Sequence, residues 1–379
     1  MNRHVPIRLG MVGGGIGAMI GNVHRIAARL DDRFALVAGA LSSSPARSAE
    51  SAAMLGLDPA RSYADFGTMA EAEAARPDGI EAVSICTPNH LHAPAAEAFL
   101  RRGIHVICDK PMTSTLGDAR ALLTLAGESE ALFMLTHNYS AYPQIRLARE
   151  LVAAGELGRP RLVQVEYAQD WLAEPVSSKQ ADWRTDPARA GAGGSIGDIG
   201  THAFQLARFV TGELPERLAA DLTSFVPGRP VDDNAHVLLR YASGAKGVLW
   251  CSQVAAGTEN GLRLRVFGEK AGLEWSHETP ETLWVTPLGQ PARKMRRAGP
   301  GTPPALAGLS RTPPGHPEGY LEGFANLYAE AADAIRARQA GRALDTLLPG
   351  AKDGLEGLQF IDACLRSNAA DAAWVEVVQ

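Results

Sequence analysis

The stretch Gly194-Ser195-Ile196-Gly197-Asp198-Ile199-Gly200-Thr201-His202 holds the most suggestive chemistry of the chain. It runs from a glycine-rich loop into residues 203–210, an apolar segment without a helix breaker. On a helix, Asp198 and His202 stand four positions apart and share one face. A carboxylate beside an imidazole is a natural proton-transfer site, because histidine, with an ordinary pKa of about 6.5, can accept and return a proton near neutrality. The same spacing also arises on ordinary solvated helix faces. The pair therefore gains meaning only if the chain supplies something for it to react with.

Three further loops do so. Gly13-Gly14-Gly15-Ile16-Gly17-Ala18 follows an apolar run and opens a helical one. Read as G-x-G-x-x-A, it sets Gly13 at a tight turn, Gly15 where backbone meets a pyrophosphate, and Ala18 where helix packs on strand. The diphosphate would rest on the helix N-terminus, drawn by its amides and dipole. No Gly-Lys-Ser/Thr follows, which excludes a nucleoside-triphosphate loop. An NAD site usually carries an acid at the end of the second strand to hold the ribose. Here Leu41-Ser42-Ser43-Ser44-Pro45-Ala46-Arg47 has none. Ser42 and Arg47 suit the 2′-phosphate of NADP(H), or hold NAD(H) less tightly; both cofactors stay open. Thr87-Pro88-Asn89-His90-Leu91-His92 and Asp109-Lys110-Pro111 each follow an apolar strand. Pro111 fixes its turn and leaves Lys110 at the edge where a nicotinamide would lie.

The elements that must position these loops fall into two groups. Apolar strands are expected at residues 7–12, 34–41, 82–86, 105–108 and 132–136, with helices at 18–30, 45–55, 93–102 and 116–129. Strands alternating with helices indicate βαβ units and a doubly wound parallel sheet, which binds ligands at the strands' C-terminal ends. After a helix at 143–154 the pattern changes. Residues 161–170 alternate apolar and polar, and strands at 236–241, 245–254, 262–267, 272–276 and 282–285 follow with short turns. This reads as a large, mostly antiparallel sheet in an α+β domain. Residues 287–317 read as an irregular Pro/Gly-rich loop, and helices at 318–338 and 349–367 close the chain. The expected domains are residues 1–140, a Rossmann dinucleotide-binding unit, and residues 141–379, a substrate-binding and oligomerisation unit whose last helices pack back on the first.

Composition narrows the partners. The 379 residues are 46% hydrophobic and 21% charged with net charge −5 and no basic block, so no nucleic-acid partner is expected. No apolar run approaches the roughly 18 residues that would span a bilayer, and the N-terminus reads as no signal peptide. Cys86, Cys108, Cys251 and Cys364 are widely separated. Disulfides, a structural zinc site and any other metal site are not expected, and the reading favours a cytoplasmic protein.

The four motifs, in order, resemble the Gfo/Idh/MocA oxidoreductases: the glycine loop, Thr-Pro-Asn, Asp-Lys-Pro in place of the usual Glu-Lys-Pro, and Gly-Gly-x-x-x-Asp-x-Gly-x-His. The likeness covers nearly the whole chain. Thr136-His137-Asn138-Tyr139, Gln169-Asp170-Trp171-Leu172 and residues 181–187 are similar to the branch that includes levoglucosan dehydrogenase. The resemblance implies that Lys110 binds the reacting hydroxyl, His202 takes its proton and Asp198 holds the substrate and tunes the histidine. It also implies cofactor contacts from Gly13, Gly15, Ile16, Ser42, Arg47, Thr87, Asn89, His92, Asp109 and Lys110. The shorter Asp109 shifts how the lysine is oriented and leaves the lysine itself in place.

For the substrate, Asn138, Tyr139, Gln169, Trp171, Asp182, Trp183 and Arg184 offer aromatic faces beside amide, carboxylate and guanidinium groups. That mixture suits a pyranose-like ring. The resemblance implies an NAD(P)-dependent dehydrogenase of a cyclic sugar, anhydrosugar, glycoside or inositol. The antiparallel sheet is expected to expose one broad face that pairs with another subunit, giving a homodimer or homotetramer through the C-terminal sheet. The alternatives are an NAD-retaining glycosidase or lyase working through transient oxidation, and a non-catalytic cofactor sensor.

Overall fold

A computed structural model of the protein describes residues 5–343 and 345–378. Its chain divides into two compact units, one through Asn138 together with Leu321–Leu355, the other Tyr139–Tyr320 with Glu356 onward.

In the first unit, runs rich in Val, Ile and Leu form β1 (Ile7–Gly13), β2 (Phe34–Ala40), β3 (Ala82–Cys86), β4 (His105–Cys108) and β5 (Phe133–Leu135). They line up as β2-β1-β3-β4-β5, every pair parallel. Every residue of β3, β4 and β5 is buried, as befits strands covered on both faces. A parallel bridge from Gly39 to Ser62 adds one more chain crossing outside β2. The order is then that of the doubly wound dinucleotide folds, with its switch point between β1 and β3. Helices α1 (Met19–Leu30), α2 (Pro45–Met54), α3 (Phe66–Ala74), α4 (His92–Leu100) and α5 (Leu116–Glu128) make the crossovers. Helix α3 is not among the helices expected from the sequence, although Asp65 caps it by accepting from the Thr68 N–H.

In the second unit, α6 (Pro143–Ala153) precedes β6 (Pro160–Ala168). Two short helices, α7 (Lys179–Arg184) and α8 (Pro187–Ala190), lead to α9 (Thr201–Thr211). The remaining strands are β7 (Pro215–Thr223), β8 (Asn234–Tyr241), β9 (Lys246–Ser252), β10 (Gly261–Gly268), β11 (Ala271–Ser276), β12 (Thr282–Pro287), β13 (Arg293–Arg296) and β14 (Val375–Glu376). They form one nine-stranded sheet, β13-β12-β11-β10-β6-β9-β8-β7-β14, antiparallel except between β6 and β9. Leu262, Leu264 and Val266 of β10 are buried while Phe267 is exposed, the alternation of a sheet with one covered face. Helix α10 (Tyr320–Gln339), which from Leu321 belongs to the first unit, and α11 (Ala351–Ala369), which from Glu356 belongs to the second, come last before β14.

Two expectations are corrected. The segment 287–317 is not wholly irregular: it contains β13 and a 3₁₀ stretch, Pro304–Leu309. Buried Arg297 organises it, donating to Glu281, to the Thr312 carbonyl and to Thr312 Oγ1 while lying 3.3 Å from Glu318. The second is β7, missing from the sequence reading because Glu216, Arg217 and Asp221 dilute its apolar pattern. Among the described residues, no helix is long and apolar enough to cross a membrane.

Candidate active site

The first unit gathers its loops at the C-terminal ends of β1, β3 and β4. Gly13 closes β1 with φ +73°. A Cβ on Gly15 would come within 2.7 Å of the Leu41 carbonyl oxygen and 2.6 Å of Ser51 Oγ, so glycine here is demanded by the protein's own packing. The Gly15 N–H donates to Leu41 O and the Ile16 N–H to Ser51 Oγ, so both amides are engaged internally. The anion-binding capacity lies in the end of α1, which has no side-chain cap and no acid in its first turn. Helix α1 also comes very close to its own loop at Gly21, where a Cβ would meet Gly14 Cα at 2.3 Å. A groove of about 460 Å³, lined in part by Ile16, Met19, Asn22, Arg25 and Met54, opens beside this end. Ser42 is half-buried and Arg47 exposed, and no acid joins them after β2.

Thr87 and Asn138, after β3 and β5, present Oγ1 and Nδ2 atoms that are buried without a hydrogen-bond partner. Orphaned polar atoms of this kind are costly unless a ligand engages them, so the edge fits a polar cofactor with hydroxyl and amide groups. Asn89 is buried in the same loop as Thr87. His92, expected at the cofactor, has both ring nitrogens against backbone carbonyls, Nδ1 at 2.7 Å from Pro111 O and Nε2 at 2.9 Å from Thr87 O. It ties two ligand-edge turns together, and burial pushes its pKa down. Asp109 accepts from the Lys110 N–H and from Thr136 Oγ1. Burial opposes its charge, yet His24, Lys110 and His92 hold its pKa well below the usual carboxylate range. Neighbouring His137 is driven the other way, down to about 3, by burial and by the Lys110 ammonium.

In the second unit Asp198 lies in a π-helical turn, Ile196–Gly200, that feeds directly into α9, where His202 sits. The wider i→i+5 winding replaces the α-helical turn expected from spacing alone. Buried Asp232 builds this turn. Its carboxylate accepts from the Gly194 N–H, the Ile196 N–H and Ser195 Oγ at 2.6–2.8 Å. Burial raises its pKa against the pull of those bonds.

Asp198 accepts from Gln253 Nε2 at 2.9 Å and lies 3.3 Å from Arg184 Nε. The Arg184 guanidinium sits over the Trp183 ring (4.3 Å) and near that of Trp171 (5.9 Å). Trp171 Nε1 donates to Gln169, whose amide donates to Asn260 Oδ1. The same oxygen accepts from the Tyr167 hydroxyl. The Tyr167 and Tyr139 hydroxyls are 2.7 Å apart, and the Tyr139 ring meets the ring of His202 edge-on at 5.0 Å. Asp198 and His202 are thus joined through one polar and aromatic circuit. Of the expected substrate residues it contains Tyr139, Gln169, Trp171, Trp183 and Arg184, with Tyr139 buried and its hydroxyl engaged by Tyr167. Asp232, Gln253, Tyr167 and Asn260 went unnoticed in the sequence. Only the acid pair Asp232-Asp233 just before β8 offered a signal. Among the described residues no cluster of three or more His, Cys, Asp or Glu side chains suits a metal. All four cysteines are buried free thiols.

Known families and structures match both parts of the chain. Residues 7–137 match the model of an oxidoreductase family with an NAD-binding Rossmann fold, and residues 145–274 that of the Gfo/Idh/MocA C-terminal domain. The crystal structure of an oxidoreductase from Sinorhizobium meliloti is 56% identical, with TM-score 0.91 over 98% of this chain and 100% of that one. An inositol dehydrogenase homologue from Azotobacter vinelandii, crystallised with NAD+, is 39% identical with TM-score 0.95, covering 98% and 97%. Levoglucosan dehydrogenase of Pseudarthrobacter phenanthrenivorans is 28% identical over 98% of each chain.

Proposed function

Because the chain belongs to the Gfo/Idh/MocA oxidoreductase family, we propose that it oxidises a ring hydroxyl of a cyclic polyol to the ketone, with NAD or NADP as hydride acceptor. The observation that carries this reading is the circuit joining Asp198 to His202 through side chains that suit a sugar ring. Relatives named for inositol and levoglucosan support the substrate class. The 39% and 28% identities leave inositols and anhydrosugars both on the panel.

In this proposal the dinucleotide is held by the end of α1, the Ser42–Arg47 segment and the Thr87 and Asn89 loop. Bound there, it supplies the hydride-accepting ring. Lys110 binds the reacting hydroxyl and stabilises negative charge as it develops on oxygen. His202 takes the hydroxyl proton as general base. Asp198, held by Gln253 and Arg184, grips a neighbouring hydroxyl. The carbinol carbon gives up its hydrogen as hydride while its oxygen loses a proton. Residues 1–140 serve the cofactor, and 141–379 the substrate and assembly.

The test is a panel of myo-inositol, scyllo-inositol, levoglucosan, glucose and methyl glucosides, each with NAD and with NADP, followed at the reduced-nicotinamide band. Reduction of either cofactor by a panel member is expected. Silence from all of them would sink the dehydrogenase reading. Products without net reduction would favour an NAD-retaining lyase or glycosidase. Assembly is proposed through the outer sheet face, where exposed Leu238 pairs with Val248 and exposed Leu162 with Phe267. Sedimentation as a monomer at micromolar concentration would overturn that.

A further inference from the structure

Beneath the Asp109-Lys110 turn the first unit carries a polar cluster that the chemistry above does not use. His24 of α1 has no exposed surface. Its Nδ1 lies 2.9 Å from the Tyr328 hydroxyl of α10 and 3.1 Å from Ser84 Oγ of β3, and those two hydroxyls are 2.9 Å apart. The rings of Phe324 and Tyr328 meet the imidazole edge-on at 5.1 and 5.8 Å. This side of the ring is therefore fully fixed. The other side is different. Nε2 is buried with no hydrogen-bond partner, and it lies 3.9 Å from Asp109 Oδ1.

A buried imidazole with one nitrogen locked and the other facing a carboxylate is costly unless the two interact. That carboxylate in turn accepts the backbone N–H of Lys110 and the hydroxyl of Thr136. We propose that His24 is a positioning residue for the Asp109–Lys110 turn: its Nε2 steadies the Asp109 carboxylate from beneath, and through it the placement of Lys110. The inference rests on the reading of Lys110 as the group that binds the reacting hydroxyl. The charge balance agrees. Burial disfavours a charged imidazole, but Cys86, Tyr328 and Asp109, the groups that face it, together move its pKa upward. Asp109 moves downward, with His24 the first favourable influence against burial. Tyr328 is itself raised by burial and stays a neutral phenol near pH 7.

Two substitutions separate positioning from packing. In His24→Asn the amide replaces Nδ1, keeping Ser84 and Tyr328 and losing Asp109. In His24→Gln the amide reaches the place of Nε2, keeping Asp109. With NAD and whichever panel polyol is oxidised, His24→Asn should lower kcat tenfold or more, leaving NADH affinity, read by fluorescence, within twofold. His24→Gln should stay within threefold in kcat. A thermal unfolding curve for each variant confirms a folded protein. If His24→Gln proves the weaker enzyme, the imidazole serves packing alone and the proposal fails. A second measurement needs no turnover. In protein labelled with ¹⁵N-histidine, Asp109→Asn should lower the His24 pKa by a unit or more, and an unchanged titration would overturn the pairing. Should no panel polyol be oxidised, the functional reading falls while this titration still decides the pair.

Discussion

The two glycine-rich turns of this molecule are built in opposite ways. The Gly13–Ala18 turn is held mostly by backbone: Gly15 donates to Leu41 O and Ala18 to Gly15 O, with a single side chain, the Ser51 hydroxyl, accepting from Ile16. The turn that carries Asp198 is held by a side-chain carboxylate, that of Asp232, with Gln253 and Arg184 gripping Asp198 itself. A backbone-built turn suits a ligand part that never varies, such as a diphosphate. One built from side chains of separate strands can change its substrate without changing its frame. The sharpest way to break this contrast is His202→Ala. It should reduce turnover by about 10² or more, the usual contribution of a general base, and leave NADH affinity unchanged. Near-native turnover would remove His202 from the chemistry. A large loss of NADH affinity would show that the two turns do not divide the labour.

Acid offers a second, smaller separation. In the first unit His105 is buried and its Nδ1 accepts the Leu132 N–H, a bond only the unprotonated nitrogen can accept. Burial, with help from Arg338, lowers its pKa to about 4. Since the unfolded chain binds this proton more readily, from about pH 6.5 downward, stability rises with pH across that window. The contribution is present above about 6.5 and is lost as pH falls toward 4, on the order of 3 kcal/mol in full. In the second unit Asp232 has the opposite sign. Its folded-state pKa is raised, so the folded state takes up that proton first and acid does not weaken it through this group. Denaturant unfolding at pH 7 and pH 4.5 should therefore show wild type losing more stability than His105→Asn, whose amide oxygen still accepts from Leu132. Parallel losses in the two proteins would refute the assignment.

The same division explains what the sequence disclosed. Strands β3 and β4 and the loops after them were legible because each is a contiguous apolar run ended by turn residues such as Pro88 and Pro111. The pair Asp198 and His202 was legible as two letters. Their surroundings were not, because Tyr167, Asn260, Gln253 and Asp232 come from the ends of β6, β10, β9 and β8. They meet only through the register that sets Ser252 beside both Asn234 and Ala168. No spacing in the sequence encodes such non-local pairing. The tight approach at Gly21 was not legible for a related reason. The motif names a position along the chain, whereas contact with Gly14 is decided by how α1 lies across its own loop, at Gly21.

Gly15 tests the backbone-built turn with the least perturbation. A single methyl there would meet Leu41 O at 2.7 Å and Ser51 Oγ at 2.6 Å. The serine can rotate aside, but the carbonyl belongs to the end of β2 and accepts the Gly15 N–H, so the turn itself must move. Strain of this kind costs about 1–3 kcal/mol. Part of it appears as displacement of the α1 end that receives the diphosphate, so Gly15→Ala should weaken NADH binding about tenfold, roughly 1.4 kcal/mol. The circuit around Asp198 lies outside that turn, so kcat at saturating NAD should change little. A variant that binds NADH normally would mean that the turn tolerates side chains as freely as the substrate wall does. A variant that loses kcat with its affinity intact would place the rigid element of the reaction in the first turn, reversing the roles assigned to the two.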